Sequence, residues 1–203
     1  MAATLAKHQA NRWPALLEAA AALFAERGYH ATTIRDVAEA AGVTPGALYF
    51  HVPTKQALLV AVYTEGVDRI VRHVDTLVDK ETEPALRFRR AIEAHLESIL
   101  DASAFARVIV RVLPDDVAEA AAELRAQRDR YETRFRSLIA ALGLPSGRSP
   151  ALLRMLLLGA LNATPIWYRR PRGGLDAIVD EFVAVFGIAP SGTDTKPRRR
   201  SKR

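Results

Sequence analysis

The chain contains no cysteine among its 203 residues. This absence excludes disulfide bonds, thiolate metal sites and a cysteine nucleophile, and it is consistent with a reducing cytosol. The amino terminus has no basic segment followed by an apolar one, so we expect no secretory signal peptide. The most apolar run, residues 151–163, is too short to cross a bilayer, which requires about 20 apolar residues. We therefore expect a cytoplasmic protein that does not enter the membrane.

Sequence signatures of common enzyme classes are also missing. There is no glycine-rich phosphate loop, no Gly-x-Ser-x-Gly motif and no His-Glu-x-x-His motif. We therefore expect no catalytic residue, no metal site and no cofactor. Asp115 and Asp116 could suggest a metal, but the helix dipole is the commoner explanation for acidic residues at a helix start. His95 lies between Glu93 and Glu97, yet residues two apart on a helix point in different directions.

The positive charge of the chain is concentrated at its carboxyl terminus. The formal net charge is +6. Residues 196–203 hold six of the 29 basic residues and no acidic one, and the remainder has 23 basic and 23 acidic residues. We expect residues 190–203 to form a disordered basic tail, which either contacts phosphates without sequence preference or is simply solvated. Overall charge is therefore no sign that the folded body binds nucleic acid.

Apolar residues recur at helical spacing along the chain, and no segment alternates in the way that a strand does. The pattern predicts an all-α protein of about nine helices without internal repeats. The predicted helices cover residues 13–27, 34–41, 45–51, 54–78, 84–100, 105–112, 114–142, 150–165 and 175–186.

Residues 32–58 have the pattern of two short helices joined by a tight turn, followed by the start of a third helix. Thr33 and Asp36 form an acidic variant of the capping box. Gly42 stands where a helix end favours a residue that tolerates positive φ, and Pro45 stands at the first position of the next helix. This pattern is typical of a helix-turn-helix, which places its second helix in the DNA major groove.

Residues 13–63 contain a set of local motifs: Phe24-Ala25-Glu26-Arg27-Gly28-Tyr29, Thr32-Thr33-Ile34-Arg35-Asp36-Val37-Ala38, Ala41-Gly42-Val43, Gly46-Ala47-Leu48-Tyr49-Phe50-His51 and Lys55. On these motifs the segment resembles the DNA-binding domain of the TetR/AcrR family of transcriptional regulators. Val52 is a departure, because family members usually carry phenylalanine there, and this affects packing beneath the recognition helix. The resemblance implies a helix-turn-helix domain with an N-terminal arm at 1–53 and a helical ligand-binding and dimerisation domain at 54–189.

The start of such a recognition helix reaches base edges, while caps and basic residues contact phosphates. A side chain at Gly46 could block close approach, and Pro45 can contact a thymine methyl group. Thr33 and Thr44 are helix caps whether or not DNA binds, and Tyr49 could instead be packed. The predicted DNA-binding residues are Thr33, Arg35, Thr44, Pro45, Gly46, Tyr49, His51 and Lys55.

The resemblance also implies a small-molecule pocket among the fourth to eighth helices, whose occupation changes the spacing of two recognition helices and releases DNA. Ordinary core packing is an alternative explanation for each candidate, because pockets and cores share the same apolar residue types. The segment from Asn162 to Gly174 resembles a TetR subgroup that includes regulators of lipid, fatty-acid or sterol catabolism, some answering to acyl-CoA thioesters. The candidate lining residues are Phe88, His95, Phe105, Tyr131, Phe135, Met155, Asn162 and Trp167.

The eighth predicted helix is apolar nearly all round, which requires cover on more than one side. That pattern predicts a central position or a subunit interface, and the resemblance implies a four-helix bundle between the last two long helices of two subunits. The predicted interface residues are Leu153, Leu157, Leu161, Ile178, Phe182 and Phe186.

We therefore expect a homodimeric repressor that binds a palindromic double-stranded DNA operator and is released by a small, mostly apolar effector, with acyl-CoA or lipid-related compounds as one class. The alternative is a helical DNA-binding or architectural protein that does not respond to a ligand. An enzyme is the less favoured class.

Overall fold

The computed structural model describes residues 12–101, 103–169 and 174–187. Within these ranges the chain forms nine α-helices and two short 3-10 turns, with no β-strand, as the hydrophobic pattern predicts. The expected N-terminal arm before residue 12 and the expected tail at 190–203 lie outside the described residues. The helices are α1 (Trp13–Arg27), α2 (Ile34–Ala40), α3 (Pro45–His51), α4 (Lys55–Val78), α5 (Pro84–Leu100), α6 (Ala104–Arg111), α7 (Ala121–Ala141), α8 (Pro150–Trp167) and α9 (Gly174–Val185).

The predicted caps and turn of the helix-turn-helix are confirmed. The Asp36 main-chain N–H donates to Thr33 Oγ1 over 3.1 Å, and the Thr33 N–H donates to the Asp36 carboxylate over 2.7 Å. Gly42 has a φ of +64°, the left-handed conformation that lets the chain leave α2. Thr44 Oγ1 accepts from the Ala47 N–H over 3.2 Å at the start of α3.

α4 is the longest helix, with 24 residues, and it joins the helix-turn-helix to the rest of the chain. Leu58 and Leu59 in its second turn and Val62 and Tyr63 in its third turn are fully buried. It contacts α1 on one side and α5, α6 and α7 on the others. Movement of α4 therefore changes contacts in both halves of the protein.

The predicted start of the seventh helix at Pro114 is wrong. Pro114–Asp116 and Ala118–Ala120 are 3-10 turns, and α7 begins at Ala121. Val117 has non-helical backbone angles (φ −135°, ψ 83°) and a buried side chain, which interrupts the helix. The apolar residues keep helical spacing across the break, so periodicity alone does not reveal it.

The last two helices pack on the central layer of α5 and α7. α8 contacts both of these helices and α9 contacts α5. The Ser149 hydroxyl accepts from the Leu152 N–H and caps α8, and the helix continues through Pro165 to Trp167. Across the described part of the chain, no helix has the length and apolar character that crossing a bilayer demands.

Candidate DNA-binding surface and buried cavity

The recognition helix α3 is attached to the protein through a single fully buried side chain, that of Leu48. Thr44, Pro45 and Gly46 at its start are all exposed, and the Tyr49 side chain is 52% exposed. A seven-residue helix held by one buried leucine leaves most of its surface free. That surface suits insertion into a major groove.

Gly46 is not required by the packing of the protomer. A Cβ atom added there would meet no other atom within 4 Å, and the φ angle of Gly46 is not positive. Glycine inside a helix is less stable than alanine by about 0.5–1 kcal/mol. The packing of the protomer therefore does not explain the glycine at this position.

The side chains predicted to contact phosphates differ in their contacts within the protomer. Lys55 Nζ donates to the His30 carbonyl oxygen over 3.3 Å and lies 4.2 Å from the centre of the Tyr29 ring. Burial at this position lowers the pKa of Lys55. The Thr33 hydroxyl also donates to the Asp36 carboxylate over 2.8 Å, so its capping role is built into the protomer, whereas Arg35 is exposed.

His51 and Phe50 occupy the end of the recognition helix. The His51 ring is half-buried, with its centre 5.5 Å from that of Trp13, so packing on α1 is one of its roles. The Phe50 ring is 75% exposed and was not among the predicted contact residues. This exposed apolar ring beside Tyr49 makes Phe50 a further candidate for the DNA-binding surface.

A cavity of about 250 Å³ lies among α4, α5, α6, α7 and α8. Of the predicted lining residues, His95, Tyr131 and Asn162 line it. Most of its wall was missed, because the apolar residues of α4 and α6 resemble ordinary core residues in sequence. These additional lining residues include Tyr63, Val67, Ile70, Ile99, Ile109, Val110, Leu113, Arg128, Glu132 and Leu158.

The other five predicted lining residues do not border this cavity. Phe88 and Phe135 are fully buried in the core. Met155 and Trp167 are exposed on α8. Phe105 lines a separate open groove of about 840 Å³ between α4, α5, α6 and the region of α9.

His95 and Tyr131 form a buried polar pair on the cavity wall. His95 Nδ1 and the Tyr131 hydroxyl are 2.6 Å apart, and the two rings are stacked with centres 5.6 Å apart. Burial lowers the pKa of His95 to about 4, with a smaller opposing effect from Asn162. Burial also raises the pKa of Tyr131, so both groups are neutral near pH 7.

Arg128 places a positive charge at another part of the cavity. Its Nε donates to the Tyr63 hydroxyl over 2.7 Å, and its Nη2 donates to the Ile109 carbonyl over 3.4 Å. Glu132, one turn further along α7, also lines the cavity and pairs with Arg154 at 3.4 Å. The cavity therefore carries one charged group of each sign in a mainly apolar wall.

Contacts between α6 and α1 connect the cavity to the helix-turn-helix. Ile109 and Val110 line the cavity, and Arg111 Nη1 donates to the Ala25 carbonyl of α1 over 3.0 Å. The following turn adds a second contact, in which the His30 Nε2 and the Asp116 carbonyl are 3.0 Å apart. The α6 segment that lines the cavity therefore also contacts the base of the DNA-binding helices.

The apolar face that α8 leaves exposed differs from the predicted one. Leu153, Leu157 and Leu161 are buried within the protomer on α8, which packs against α5 and α7, and their place in an interface with a partner stays a prediction. Ile178, Phe182 and Phe186 are half-buried, and their place in an interface stays a prediction. The exposed apolar stripe on α8 consists of Leu152, Met155, Leu156, Gly159, Ile166 and Trp167.

The acidic residues Asp115 and Asp116 are engaged in local contacts within the protomer. Among the residues in the three described ranges, no group of three or more His, Asp or Glu side chains is placed to hold a metal ion. Asp115 forms an ion pair with Arg125, and the Asp116 carboxylate accepts from the Leu113 N–H over 2.8 Å. These two acidic residues thus stabilise the local turn.

The chain is similar in sequence to known transcriptional repressors. The HTH-type transcriptional repressor KstR2 of Rhodococcus jostii (strain RHA1) is 35% identical over 135 residues, which are 64% of this chain and 62% of KstR2. KstR2 of Mycobacterium tuberculosis (strain H37Rv) is 38% identical over 84 residues, 41% of this chain and 42% of the relative. The matched segments thus span less than two thirds of these curated relatives.

Two solved structures share the fold. The crystal structure of AibR in complex with isovaleryl coenzyme A and operator DNA has a TM-score of 0.72 and 24% identity, covering 88% of this chain and 99% of AibR. The superantigen PfiT has a TM-score of 0.72 and 28% identity, covering 84% of this chain and 93% of PfiT. Because proteins with such different descriptions share it, the fold by itself does not define the function.

Family models match both halves of the chain. The model of bacterial regulatory proteins of the tetR family matches residues 16–62, which include α2 and α3. The model of the tetracyclin repressor-like C-terminal domain matches residues 81–186, more than half of the chain. The chain therefore belongs to the TetR family of bacterial regulatory proteins.

Proposed function

We propose that this protein is a cytoplasmic, non-enzymatic transcriptional repressor that binds a palindromic operator as a homodimer and is released by a small effector. The observation that carries the proposal is the recognition helix, which one buried leucine anchors and whose exposed start includes a glycine that the protomer does not require. Residues 1–53 form its DNA-binding domain in this proposal, and residues 54–189 form its effector and dimerisation domain.

DNA binding places the start of α3 in the major groove. Pro45 and Gly46 approach the base edges, and Tyr49 lies beside them on the exposed face. Lys55 and Arg35 contact the phosphates on either side, and the Thr33 cap at the start of α2 lies near the backbone. Phe50 adds apolar contact area at the end of the helix.

Dimerisation uses the exposed apolar stripe on α8. Its members recur at spacings of three, four and seven residues, so they form one face that water covers in the isolated protomer. Nothing in the protomer lies within 4 Å of a Cβ added at Gly159, so this glycine lets a second helix approach closely. A two-fold dimer with two recognition helices requires an operator with two related half-sites.

Release from DNA follows from differential binding of the effector to two arrangements of α6. A ligand in the cavity contacts Ile109, Val110 and Leu113, and these residues flank the Arg111 contact with Ala25. The effector lowers operator affinity only to the extent that it binds better to the arrangement with the wrong spacing of the recognition helices. α4 and the His30–Asp116 contact transmit the same shift.

The proposed effector is a small, mostly apolar molecule. Acyl-CoA thioesters, whose acyl chain is apolar, are one candidate class. The apolar wall and the few polar groups of the cavity are typical of small-molecule sites. AibR, which has the same fold, is described in complex with isovaleryl coenzyme A and operator DNA.

The test of DNA binding uses fluorescence anisotropy with labelled DNA from the intergenic region beside the gene and a scrambled duplex of the same composition. We expect tighter binding to a palindromic segment and weaker binding by Tyr49→Ala and Lys55→Ala. Lys80→Ala, which removes an exposed charge after the end of α4, is the matched control and should bind normally. Unchanged binding by both recognition variants, or equal binding to palindrome and scrambled duplex, would refute the proposal.

A further inference from the structure

The cavity wall contains one buried polar atom that lacks a hydrogen-bond partner. His95 is 2% exposed, and its Nε2 has no partner, whereas its Nδ1 is bound to Tyr131. Gln127 Oε1 and Arg154 Nε are also buried without a hydrogen bond, although Arg154 Nε forms the ion pair with Glu132, and neither residue lines this cavity. An unpaired buried donor or acceptor is unfavourable, and a ligand that pairs with it recovers that free energy.

The proton on His95 is assigned by counting hydrogen bonds. The Tyr131 hydroxyl has one partner in the described structure, which is His95 Nδ1. If Nδ1 carried the proton, the hydroxyl proton of Tyr131 would have no acceptor. The arrangement with fewer unpaired groups has Tyr131 donating to Nδ1 and the single proton of the neutral imidazole on Nε2.

The His95 Nε2–H therefore has no acceptor at normal hydrogen-bond geometry. The Asn162 side chain lies near enough to interact with the ring as a weak hydrogen-bond partner and so opposes the lowering of the His95 pKa, but this contact does not satisfy Nε2. Burial keeps the pKa of His95 at about 4, so the ring remains neutral and does not attract an anion by charge. The missing partner is an acceptor such as a carbonyl oxygen.

The size of the cavity limits the ligand. Its volume of about 250 Å³ is below the range of roughly 300–1,000 Å³ that is usual for drug-sized ligands. Leu113 and Asn162 line the cavity and are exposed as well, so it opens to solvent beside them. A short apolar group fits inside, and a larger attached group remains outside.

The charges of the wall favour an uncharged group inside. Arg128 and Glu132 both line the cavity, so the wall carries no net charge from this pair. Arg128 already donates to Tyr63 and Ile109. A free carboxylate would add a negative charge beside Glu132, whereas the carbonyl of an ester or thioester adds none.

We propose that the cavity binds a short-chain acyl compound whose carbonyl oxygen accepts a hydrogen bond from His95 Nε2 while its chain lies among Val67, Ile70 and Ile99. This inference rests on the proposed effector role of the cavity and names the chemistry that fills it. The acyl group is carried by a thioester that extends out of the opening or by a small neutral ester.

Isothermal titration calorimetry without DNA tests the inference with five probes. Isovaleryl-CoA carries the carbonyl, and its thioether analogue S-isopentyl-CoA lacks it. Methyl isovalerate tests a free ester, isovalerate tests a carboxylate, and stearoyl-CoA tests a long chain. We expect isovaleryl-CoA to bind about tenfold more tightly than the thioether, because the thioether leaves Nε2–H unpaired. If the methyl ester binds and both CoA compounds bind weakly, the inference is supported and a small neutral ester is the compound that carries the acyl group.

Two substitutions of His95 provide a matched pair. His95→Phe removes the donor and should bind isovaleryl-CoA and the thioether equally. His95→Gln retains an N–H near the position of Nε2 and should keep part of the preference. Circular dichroism and thermal unfolding establish that each variant is folded, and the wild-type comparison of the two CoA compounds decides the question if the phenylalanine variant does not fold.

Four outcomes would overturn the inference: equal binding of isovaleryl-CoA and the thioether when both bind at least as tightly as methyl isovalerate, tighter binding of isovalerate or stearoyl-CoA than of isovaleryl-CoA and methyl isovalerate, binding of none of the probes, or an unchanged preference in His95→Phe. Operator binding is measured separately. If the protein binds its operator but shows no preference for the carbonyl, the inference fails and the proposed repressor function stands. If the protein prefers the carbonyl compound but binds no operator, the inference about the ligand stands and the proposed repressor function fails.

Discussion

Arg111 at the end of α6 donates a hydrogen bond over 3.0 Å to the carbonyl of Ala25, 86 residues earlier in α1. The two residues before Arg111, Ile109 and Val110, line the buried cavity. One short helix therefore contacts both the cavity and the base of the DNA-binding helices. Such a contact can transmit a shift because packed helices move as units.

We predict that Arg111→Ala lowers the free energy of unfolding by about 1 kcal/mol, since it removes one partly buried hydrogen bond. It should also reduce the loss of operator affinity caused by the effector, because α6 no longer pulls on α1. Urea denaturation and DNA-binding anisotropy with and without effector measure the two effects. Arg107→Ala removes an exposed arginine from the same helix and should change neither. An unchanged effector response in Arg111→Ala would show that this contact does not transmit the signal.

Gly46→Ala should separate stability from DNA binding. A Cβ at this position meets no atom within 4 Å, and alanine is the better helix former, so the protein should gain up to about 1 kcal/mol in stability. Operator affinity should nevertheless fall, because the methyl group occupies space between α3 and DNA. Thermal unfolding and anisotropy measure both.

Gly66→Ala is the contrasting control within α4. A Cβ there would lie 2.6 Å from Ile109 Cδ1, so the Ile109 side chain must move and this variant should gain less stability than Gly46→Ala. If Gly46→Ala binds the operator as tightly as wild type, Gly46 is not at the DNA surface.

The stability of the protein should depend on pH through His95. Its pKa is about 4 in the folded state and about 6.5 when unfolded, so the unfolded chain binds more protons between these values. The contribution of His95 to the free energy of unfolding is therefore fully present above pH 6.5. As the pH is lowered toward 4, this contribution falls by about 3 kcal/mol. Other acidic groups titrate in the same range, so the measured quantity is the difference between wild type and His95→Gln in urea denaturation at pH 7, 5 and 4.

His73→Gln is the matched control for this effect. His73 is partly exposed, with its Nε2 2.6 Å from the Glu97 carboxylate, so His73→Gln removes a histidine that lies outside the core. If His95→Gln and wild type lose equal stability on acidification, His95 is not held neutral by burial.

Leu156→Glu should convert the proposed dimer to a monomer. The Leu156 side chain is 66% exposed in the protomer, so the charge is tolerated there but opposes burial against a second copy. Light scattering at micromolar concentration measures the mass. A stable dimer in Leu156→Glu would place the interface elsewhere.

The neighbouring residue Leu157 provides the control for that experiment. Leu157 is 0% exposed, so Leu157→Ala should lower stability by about 2–5 kcal/mol without acting on the stripe directly. Thermal unfolding separates this loss of folding stability from a loss of dimerisation.

Local sequence determined the helix-turn-helix. The Thr33–Asp36 capping box, the Gly42 turn and the Thr44–Pro45 start of α3 involve residues close together in the chain, so their chemistry specifies geometry without distant contacts. The family resemblance followed from the same segment and is confirmed by the family models. The seventh helix was predicted to begin too early, because helical spacing does not reveal the interruption at Val117.

Tertiary structure alone decided which apolar residues face the core, the cavity and the solvent. On α8, Leu156 is exposed and the adjacent Leu157 is buried, although both are leucines in a helix that is apolar on most sides. Likewise, His95 and Tyr131 line the cavity whereas Phe88 and Phe135 fill the core. The physical reason is that hydrophobic burial is non-directional, so a side chain's partner depends on how distant helices pack, while caps and turns are set by neighbours in sequence.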